Sequence, residues 1–120
     1  MPEWTTARIA DLGTVITGAT PSSSDTEAWG DATDFITPTD QSNNRTARPS
    51  RRLSASGTAS LRNRLLPAGA TCFTCIGSTI GKVTLTDRPA VTNQQINSVV
   101  PNGNTDPLFV YYLLRFYADS

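Results

Sequence analysis

The middle of the chain carries cations of a kind suited to phosphate or base recognition. From residue 41 to residue 82 every charged residue is basic, and all but one are arginines. They are Arg45, Arg48, Arg51, Arg52, Arg62, Arg64 and Lys82. A planar guanidinium offers a fork of N–H donors that matches two phosphate oxygens or the acceptor edge of guanine. Because so many cations without an intervening carboxylate repel each other unless they are spread out or face a polyanion, the segment favours contact with nucleic acid.

The same charges allow a plainer interpretation. The preceding segment is acidic at all of its charged positions, and separated charges of this kind often form only a solvated surface. These positions are Asp25, Glu27, Asp31, Asp34 and Asp40. The formal net charge is +0, which argues against a nonspecific DNA-coating protein or a membrane-surface binder. Charge alone therefore leaves DNA contact and a solvated surface both open.

A second cluster of polar groups lies in "VTNQQINSVVP", residues 91–101, where β-branched residues favour a strand. In a strand Asn93, Gln94 and Gln95 would alternate faces, so at least one amide would be buried and would need hydrogen-bond partners. Asn93 and Gln95 could tie neighbouring loops to the sheet through backbone bonds. Alternatively, Gln94 or Gln95 could read an adenine edge, which amide side chains do well.

Other reactive residues do not form a recognisable catalytic or metal site. Cys72 and Cys75 in "TCFTCIG" are three residues apart in a predicted strand, so their side chains point to opposite faces and we interpret both as structural. The chain has no histidine, which excludes Ser-His and Cys-His pairs and a zinc site of the usual composition. "GSTIGKV", residues 77–83, departs from a phosphate-binding loop in spacing and leads into a strand. We therefore expect a non-catalytic chain without a cofactor.

The 120 residues suffice for one domain, and turn residues divide the sequence into short elements. Strands are expected over residues 4–9, within "TVITG" (14–18) and within "DFITP" (34–38), with a loop over 19–31. Residues 41–59 are polar and lack any helical period, so they predict a long irregular loop. A β-hairpin is expected from a strand at 70–76 followed by "KVTLT" (82–86).

A helix is predicted at the C-terminal end, with Asp106 as its N-cap and Pro107 at its first position. Its apolar residues occupy more than one side, so it should require a packing partner, either its own copy or another chain. The first residues lack a basic segment followed by an apolar one, and "PLFVYYLL" (107–114) is too short to span a bilayer. A cytoplasmic location without membrane contact is expected.

The order of several segments resembles the target recognition domain of type I restriction-modification specificity subunits. Each segment is weak evidence alone, but together and in this order they are specific. They are "LGTVITGATPS" (12–22), "AWGD" and "FITPTD" within 28–40, "LLPAGATCFTCIGSTIGKV" (65–83), "PAVTNQQI" (89–96) and "DPLFVYYLL" (106–114). Residues 43–64, which hold most of the arginines, do not follow the family's pattern.

The resemblance implies an α/β fold of the α+β type: a single domain with a strongly curved mixed β-sheet, a long Arg-rich loop and a C-terminal helix. Residues 1–105 would be the target recognition domain, and residues 106–120 the start of a spacer helix. The implied partners are double-stranded DNA, methyltransferase subunits that use S-adenosylmethionine, and a restriction subunit that hydrolyses ATP and cuts DNA. Self-association through the C-terminal helix is a further expectation.

Family members read different DNA targets on a shared scaffold, so specificity should lie where the pattern lapses. The candidate DNA-contacting residues are Gln41, Asn43, Asn44, Arg45, Arg48, Arg51, Arg52, Arg62, Arg64, Lys82 and Gln94. Arg51 and Arg52 are the preferred candidates for charge-assisted contacts and Lys82 for a phosphate contact. One or two of the arginines, with Asn43, Asn44 or Gln41, would reach base edges. Two other hypotheses are kept. One is a carbohydrate-binding module that uses Trp4, Trp29 and Phe35 as a stacking platform, and the other is a protein-interaction fragment that only docks on the methyltransferase.

Overall fold

The computed structural model of the chain describes residues 11–42, 45–76 and 79–118. Within these ranges seven strands and two α-helices follow one another. They are β1 (Gly13–Thr17), β2 (Trp29–Ile36), β3 (Arg51–Leu53), α1 (Ala55–Ser60), β4 (Thr71–Ile76), β5 (Thr79–Leu85), β6 (Ala90–Thr92), β7 (Ile96–Pro101) and α2 (Pro107–Ala118). Single 3₁₀ turns lie at Pro38–Asp40 and Arg62–Arg64. The strand predicted over residues 4–9, and the candidates Trp4, Asn43 and Asn44, lie outside the described residues.

The strands form two sheets. One is four-stranded and antiparallel, in the order β1-β7-β4-β5, and the other is three-stranded, in the order β3-β2-β6. In the smaller sheet β2 runs antiparallel to β3 and parallel to β6, which makes it mixed. The α+β class is thus confirmed, but the strands are divided between two sheets where we expected one continuous sheet. The predicted hairpin is also confirmed, as β4 and β5.

Helix α2 packs on the four-stranded sheet. Val110, Tyr111 and Leu114 are buried against a cluster that includes Phe73 and Val83. The Leu108 amide donates to Asp106 Oδ1 at 2.9 Å, so the predicted N-cap is confirmed. The opposite side of the helix is apolar and exposed, through Leu108, Phe109, Tyr112 and Phe116. In the described part of the chain, no helix has both the length and the apolar character needed to cross a bilayer.

A second cluster, which joins the two sheets, contains Cys72. This side chain is fully buried beside Ile36, Leu66 and Ile96, as expected of a structural cysteine. Burial raises the pKa of the Cys72 thiol to about 11, and the nearby Ser98 hydroxyl offsets the shift in part. The buried thiol therefore stays protonated at pH values where a solvated thiol would ionise.

This shift predicts a loss of stability in alkali. Between about pH 9 and pH 11 the unfolded chain releases the Cys72 proton and the folded chain keeps it. Because the folded state then binds more protons, the free energy of unfolding falls as pH rises through this window. From pH 8 to pH 10.5 it should fall by roughly 2 kcal/mol more in the native chain than in Cys72→Ala. Urea unfolding of both proteins checks this, and equal pH dependence would contradict it.

The arginine-rich segment is more ordered than its composition predicts. The expectation of an irregular loop over residues 41–59 is wrong, because this stretch contains strand β3 and helix α1. Leu53 is fully buried in a cluster with Phe35 and Val91. Ser54 caps α1 by accepting from the Gly57 amide at 3.1 Å. Gly57 is required there, because a Cβ atom would lie 2.1 Å from the Ala28 carbonyl oxygen.

The amides Asn93, Gln94 and Gln95 form a turn between β6 and β7, so their predicted alternation within a strand is wrong. The Asn93 amide N–H donates to Ile36 O at 3.0 Å, and Asn93 Oδ1 accepts from the Gln95 amide at 3.1 Å. Gln94 Oε1 accepts from the Thr20 hydroxyl at 2.6 Å. These bonds join the turn to β2 and to the loop after β1, as the bracing interpretation expects.

Candidate nucleic-acid interface

The registers of the three-stranded sheet bring charged residues together around Asp34. On central strand β2, Asp34 lies opposite Arg52 of β3 on one side and opposite Ala90 of β6 on the other. Directly opposed residues of paired strands have close Cβ atoms, so Arg52 and Asp34 can pair. Arg88 precedes β6 by two residues and approaches the same carboxylate. Residues far apart in sequence thus share one end of this sheet.

The segment from Arg45 to Pro49 runs beside these residues and is fixed at both ends. Arg45 O accepts from the Leu85 amide at 2.7 Å, and the Arg48 amide donates to Asp40 O at 3.3 Å. The Asp40 carboxylate accepts from the Thr37 amide at 2.8 Å and from the Ser50 amide at 3.3 Å. Asp40 therefore holds the backbone of the arginine-rich segment in place.

The segment from Arg45 to Pro49 and the residues around Asp34 border an open hollow of about 700 Å³, which we call the basic groove. Four arginines and two aspartates line it, so positive charge is in excess. The lining residues are Asp34, Arg45, Thr46, Ala47, Arg48, Pro49, Arg52, Asp87 and Arg88. A concave, basic surface of this kind attracts polyanions and can present several guanidinium groups to one ligand.

A second hollow of about 480 Å³ adjoins the basic groove, with which it shares Pro49 and Arg52. The Arg51 guanidinium lies over the Trp29 ring, with its Cζ atom 3.4 Å from the ring centroid. Trp29 in turn packs edge-on against Phe35, with centroids 5.1 Å apart. This stacking restricts the orientation of Arg51 while leaving the residue exposed.

Carboxylates neutralise only part of this charge. Arg52 Nε lies 3.1 Å from Asp34 Oδ1, and Arg88 Nε lies 3.7 Å from both Asp34 Oδ2 and Asp87 Oδ1. Among residues 11–42, 45–76 and 79–118, no carboxylate oxygen lies within 4.0 Å of a side-chain nitrogen of Arg45, Arg48 or Arg51. The acidic segment upstream therefore leaves most of the predicted arginine cluster unpaired.

Several sequence-predicted candidates lie elsewhere. Gln41 is buried, and its Nε2 donates to Cys72 O at 3.2 Å and to Thr84 Oγ1 at 2.9 Å. A side chain enclosed in this way cannot reach a base without leaving the core, so we correct the assignment of Gln41 from a DNA contact to a structural amide. Gln94 is exposed but is engaged with Thr20 in the bracing turn.

Three predicted cations line neither hollow, although all three are exposed. Arg62 donates to Ala59 O at 3.3 Å, Arg64 to Thr17 O at 2.7 Å, and Lys82 to Pro38 O at 3.1 Å. Each uses a side-chain donor on a backbone carbonyl of the domain itself. Of the seven predicted cations, the two hollows bring together Arg45, Arg48, Arg51 and Arg52.

Arg88 was not predicted from the sequence, because it lies outside the basic segment, in the turn "TDRPA". Only the parallel pairing of β2 with β6 places it beside Asp34, and this pairing has no local signal in the sequence. No three or more His, Cys, Asp or Glu side chains gather as metal ligands would in the part of the chain that the structure covers. The exposed guanidinium groups at this surface can donate charge-assisted hydrogen bonds to anions.

Comparisons with known proteins show the family of the chain. Residues 1–119 match the family described as the type I restriction modification DNA specificity domain. The chain is 36% identical over 113 residues to the HindI specificity subunit of Haemophilus influenzae, and 29% identical over 116 residues to the MjaIX specificity subunit of Methanocaldococcus jannaschii. These alignments cover 93% and 94% of the chain but 24% and 27% of the two relatives, so the chain spans about a quarter of their length.

Solved structures show the same fold. The HsdS subunit from Thermoanaerobacter tengcongensis superposes with a TM-score of 0.64 at 13% identity, over 92% of this chain and 28% of that one. A chain from a structure of the type I R-M system, solved to explain complex assembly and conformational transition, gives 0.63 at 14% identity, over 92% and 27%. The match of nearly the whole sequence to the family decides the assignment: the chain belongs to the type I restriction modification DNA specificity domains.

Proposed function

We propose that this chain reads one half of a bipartite DNA target for a type I restriction-modification system. The observation that supports this most directly is the basic groove, in which four arginines from three separate segments surround one open hollow. The neighbouring hollow adds Arg51, whose orientation is restricted by Trp29. Such an arrangement offers donors for phosphates and for base edges together, as sequence-specific DNA recognition needs.

In the proposed mechanism the arginines divide these two tasks. Arg45 and Arg48, which have no carboxylate partner among the described residues, contact phosphates and fix the register of the domain on the duplex. Arg51 and Arg52 present restrained guanidinium groups that can donate two hydrogen bonds to one guanine in the major groove. Arg62, Arg64, Lys82 and the buried Gln41 are left out of this interface.

The partners also belong to the proposal. The domain directs methyltransferase and restriction subunits to the DNA, needs no cofactor of its own and catalyses no step itself. Residues 1–105 are the recognition domain, and residues 106–120 begin a spacer helix whose exposed side, from Leu108 to Phe116, faces a second helix or another copy. A cytoplasmic location remains our expectation, because the proposed substrate is cellular DNA.

The carbohydrate-binding alternative has little structural support. Phe35 is only 3% exposed, and the Trp29 ring is covered by Arg51, so these two aromatic rings do not offer a free stacking platform. The protein-interaction alternative predicts that partner binding is retained without the arginines. It is distinguished from DNA recognition by the experiment that follows.

Binding to a pool of random 30-base-pair duplexes tests the proposal, with fluorescence anisotropy in increasing salt and sequencing of the retained DNA. We expect enrichment of one short motif. The logarithm of the association constant should fall against the logarithm of salt with a slope of roughly −2, since each of the two phosphate contacts, from Arg45 and Arg48, contributes about −0.9. Absence of both binding and enrichment at low salt, together with retained binding to the methyltransferase, would favour the protein-interaction fragment.

A further inference from the structure

We propose that Asp34 is a positioning residue that orients Arg52, with Arg88 beside it, for recognition of a single base pair. This inference rests on the proposed DNA-reading function and assigns a specificity-determining role to a carboxylate within it. The Asp34 side chain is 10% exposed, whereas those of Arg52 and Arg88 are 47% and 57% exposed. A shielded anion thus lies beneath two accessible cations at the base of the groove.

The atoms that form these pairs support a positioning role. In both pairs the guanidinium nitrogen nearest the carboxylate is Nε, the one closest to the backbone. The outer edge of each guanidinium therefore remains for a ligand. The outer pair of nitrogens is a fork that can donate two parallel hydrogen bonds to O6 and N7 of a guanine. Asp34 can therefore contact Nε without occupying the outer pair of nitrogens that would bind the guanine.

The two arginines are held with different strength. The Arg52 ion pair, at 3.1 Å between Nε and Asp34 Oδ1, is within the N···O distance of a hydrogen bond. The Arg88 contact of 3.7 Å exceeds hydrogen-bond length, so charge attracts this side chain without fixing its direction. Arg52 therefore suits a base edge, where a displacement of about 1 Å matters, and Arg88 suits an adjacent phosphate.

The sheet provides the rigidity that such a role requires. Asp34 belongs to β2, the central strand of its sheet, and Arg52 lies directly opposite it in the register of β3. Beneath them, Phe35 and Leu53, the next residues along these strands, are buried in one core cluster. The carboxylate and the backbone of its partner are thus mounted on packed strands, although both arginine heads are in solvent.

The charge of Asp34 predicts opposite effects on specific and nonspecific binding. Asp34 lowers the positive charge of the groove, which weakens attraction to any phosphate backbone, while it orders the guanidinium that distinguishes one base pair. Its removal should therefore strengthen binding to arbitrary DNA and weaken discrimination. A residue that only stabilised the fold would weaken both together.

The test compares Asp34→Asn with Asp87→Asn, which removes the same charge from the same groove. Asp87 is 55% exposed and its described ion pair is with Arg88, so it should not orient Arg52. In the random-duplex selection we expect Asp34→Asn to lose roughly tenfold or more of the preference at one base pair, within the range of one bidentate contact. Both variants should bind a single scrambled duplex more tightly than the native chain does.

Equal base preference in Asp34→Asn and the native chain would overturn the inference while leaving DNA recognition intact. Failure of the native chain to enrich any motif would instead contradict the proposed function. If thermal melting shows that Asp34→Asn does not fold, Arg52→Lys replaces it, because lysine keeps the charge but has no fork and no Nε–H. Arg52→Lys should lose preference at that same base pair and keep its salt dependence, and retained preference would overturn the inference.

Discussion

Replacement of Arg45, Arg48 and Arg52 together by alanine should lower the affinity for the most enriched duplex by about 100-fold or more at moderate salt. Three charge-assisted contacts would be lost, two to phosphates and one to a base, and each such contact contributes on the order of 1 to 3 kcal/mol. The slope of the logarithm of the association constant against the logarithm of salt should become less steep, by the contribution of about two phosphate contacts. Fluorescence anisotropy across a salt series measures both quantities.

The matched control replaces Arg62 and Arg64 by alanine. These residues are also exposed arginines of the basic segment, but they line neither hollow and donate to backbone carbonyls of the domain. Affinity should change by less than about threefold, since only distant and screened charge is removed. An equal loss in both variants would show that overall charge, and not the groove, determines binding. Single Arg52→Ala should additionally reduce the preference at one base pair.

Leu53→Ala should destabilise the domain by about 3 kcal/mol, because it removes a fully buried side chain from the cluster beneath the arginines. Leu53 is the last residue of β3 and directly follows Arg51 and Arg52. The cavity that the substitution leaves should therefore also loosen the strand that carries these two arginines. Urea unfolding followed by circular dichroism gives the change in the free energy of unfolding. The DNA affinity of Leu53→Ala should be lower than that of the native chain even at temperatures where both proteins are fully folded.

Leu65→Ala is the control for this substitution. Leu65 is 36% exposed and lies in the same part of the sequence, so its truncation should cost less than about 1 kcal/mol. A cost for Leu53→Ala no greater than that for Leu65→Ala would mean that β3 is not integrated into the core. The described packing of the arginine-rich segment would then be wrong.

Elements with strong local signals were predictable from the sequence. Alternating apolar residues in β4 and β5 with turn residues between them gave the hairpin, and Asp106 before Pro107 gave the start of α2. In these cases the periodicity and the capping chemistry agree with the tertiary packing. The division of the strands into two sheets depends on long-range pairing, such as that of β2 with β6, which no local pattern encodes.

The arginine-rich segment shows where local reasoning fails. Strand β3 contacts the core through a single apolar residue, Leu53. Helix α1 consists of small residues, and its packing requires the close approach of Gly57 to Ala28. Neither feature produces a period that a sequence window would detect. Composition therefore predicted a loop where tertiary contacts stabilise a short strand and a helix.

The candidate site was predictable by residue type but not by arrangement. The run of arginines indicated a polyanion partner, and four of them do share one region of the surface. Gln41 belongs to the same polar stretch, but its side chain is buried and donates hydrogen bonds to Cys72 O and Thr84 Oγ1. Asp34 and Arg88 are distant in the sequence and come together only because β6 pairs with β2.

Arginine footprinting tests the central claim most directly. The chain is modified with phenylglyoxal in the absence and presence of its most enriched duplex, and the extent of modification of each guanidinium is measured by mass spectrometry. We predict strong protection of Arg45, Arg48 and Arg52 by the duplex, and little change at Arg62 and Arg64. Protection of Arg62 and Arg64 with none at the basic groove would contradict the account.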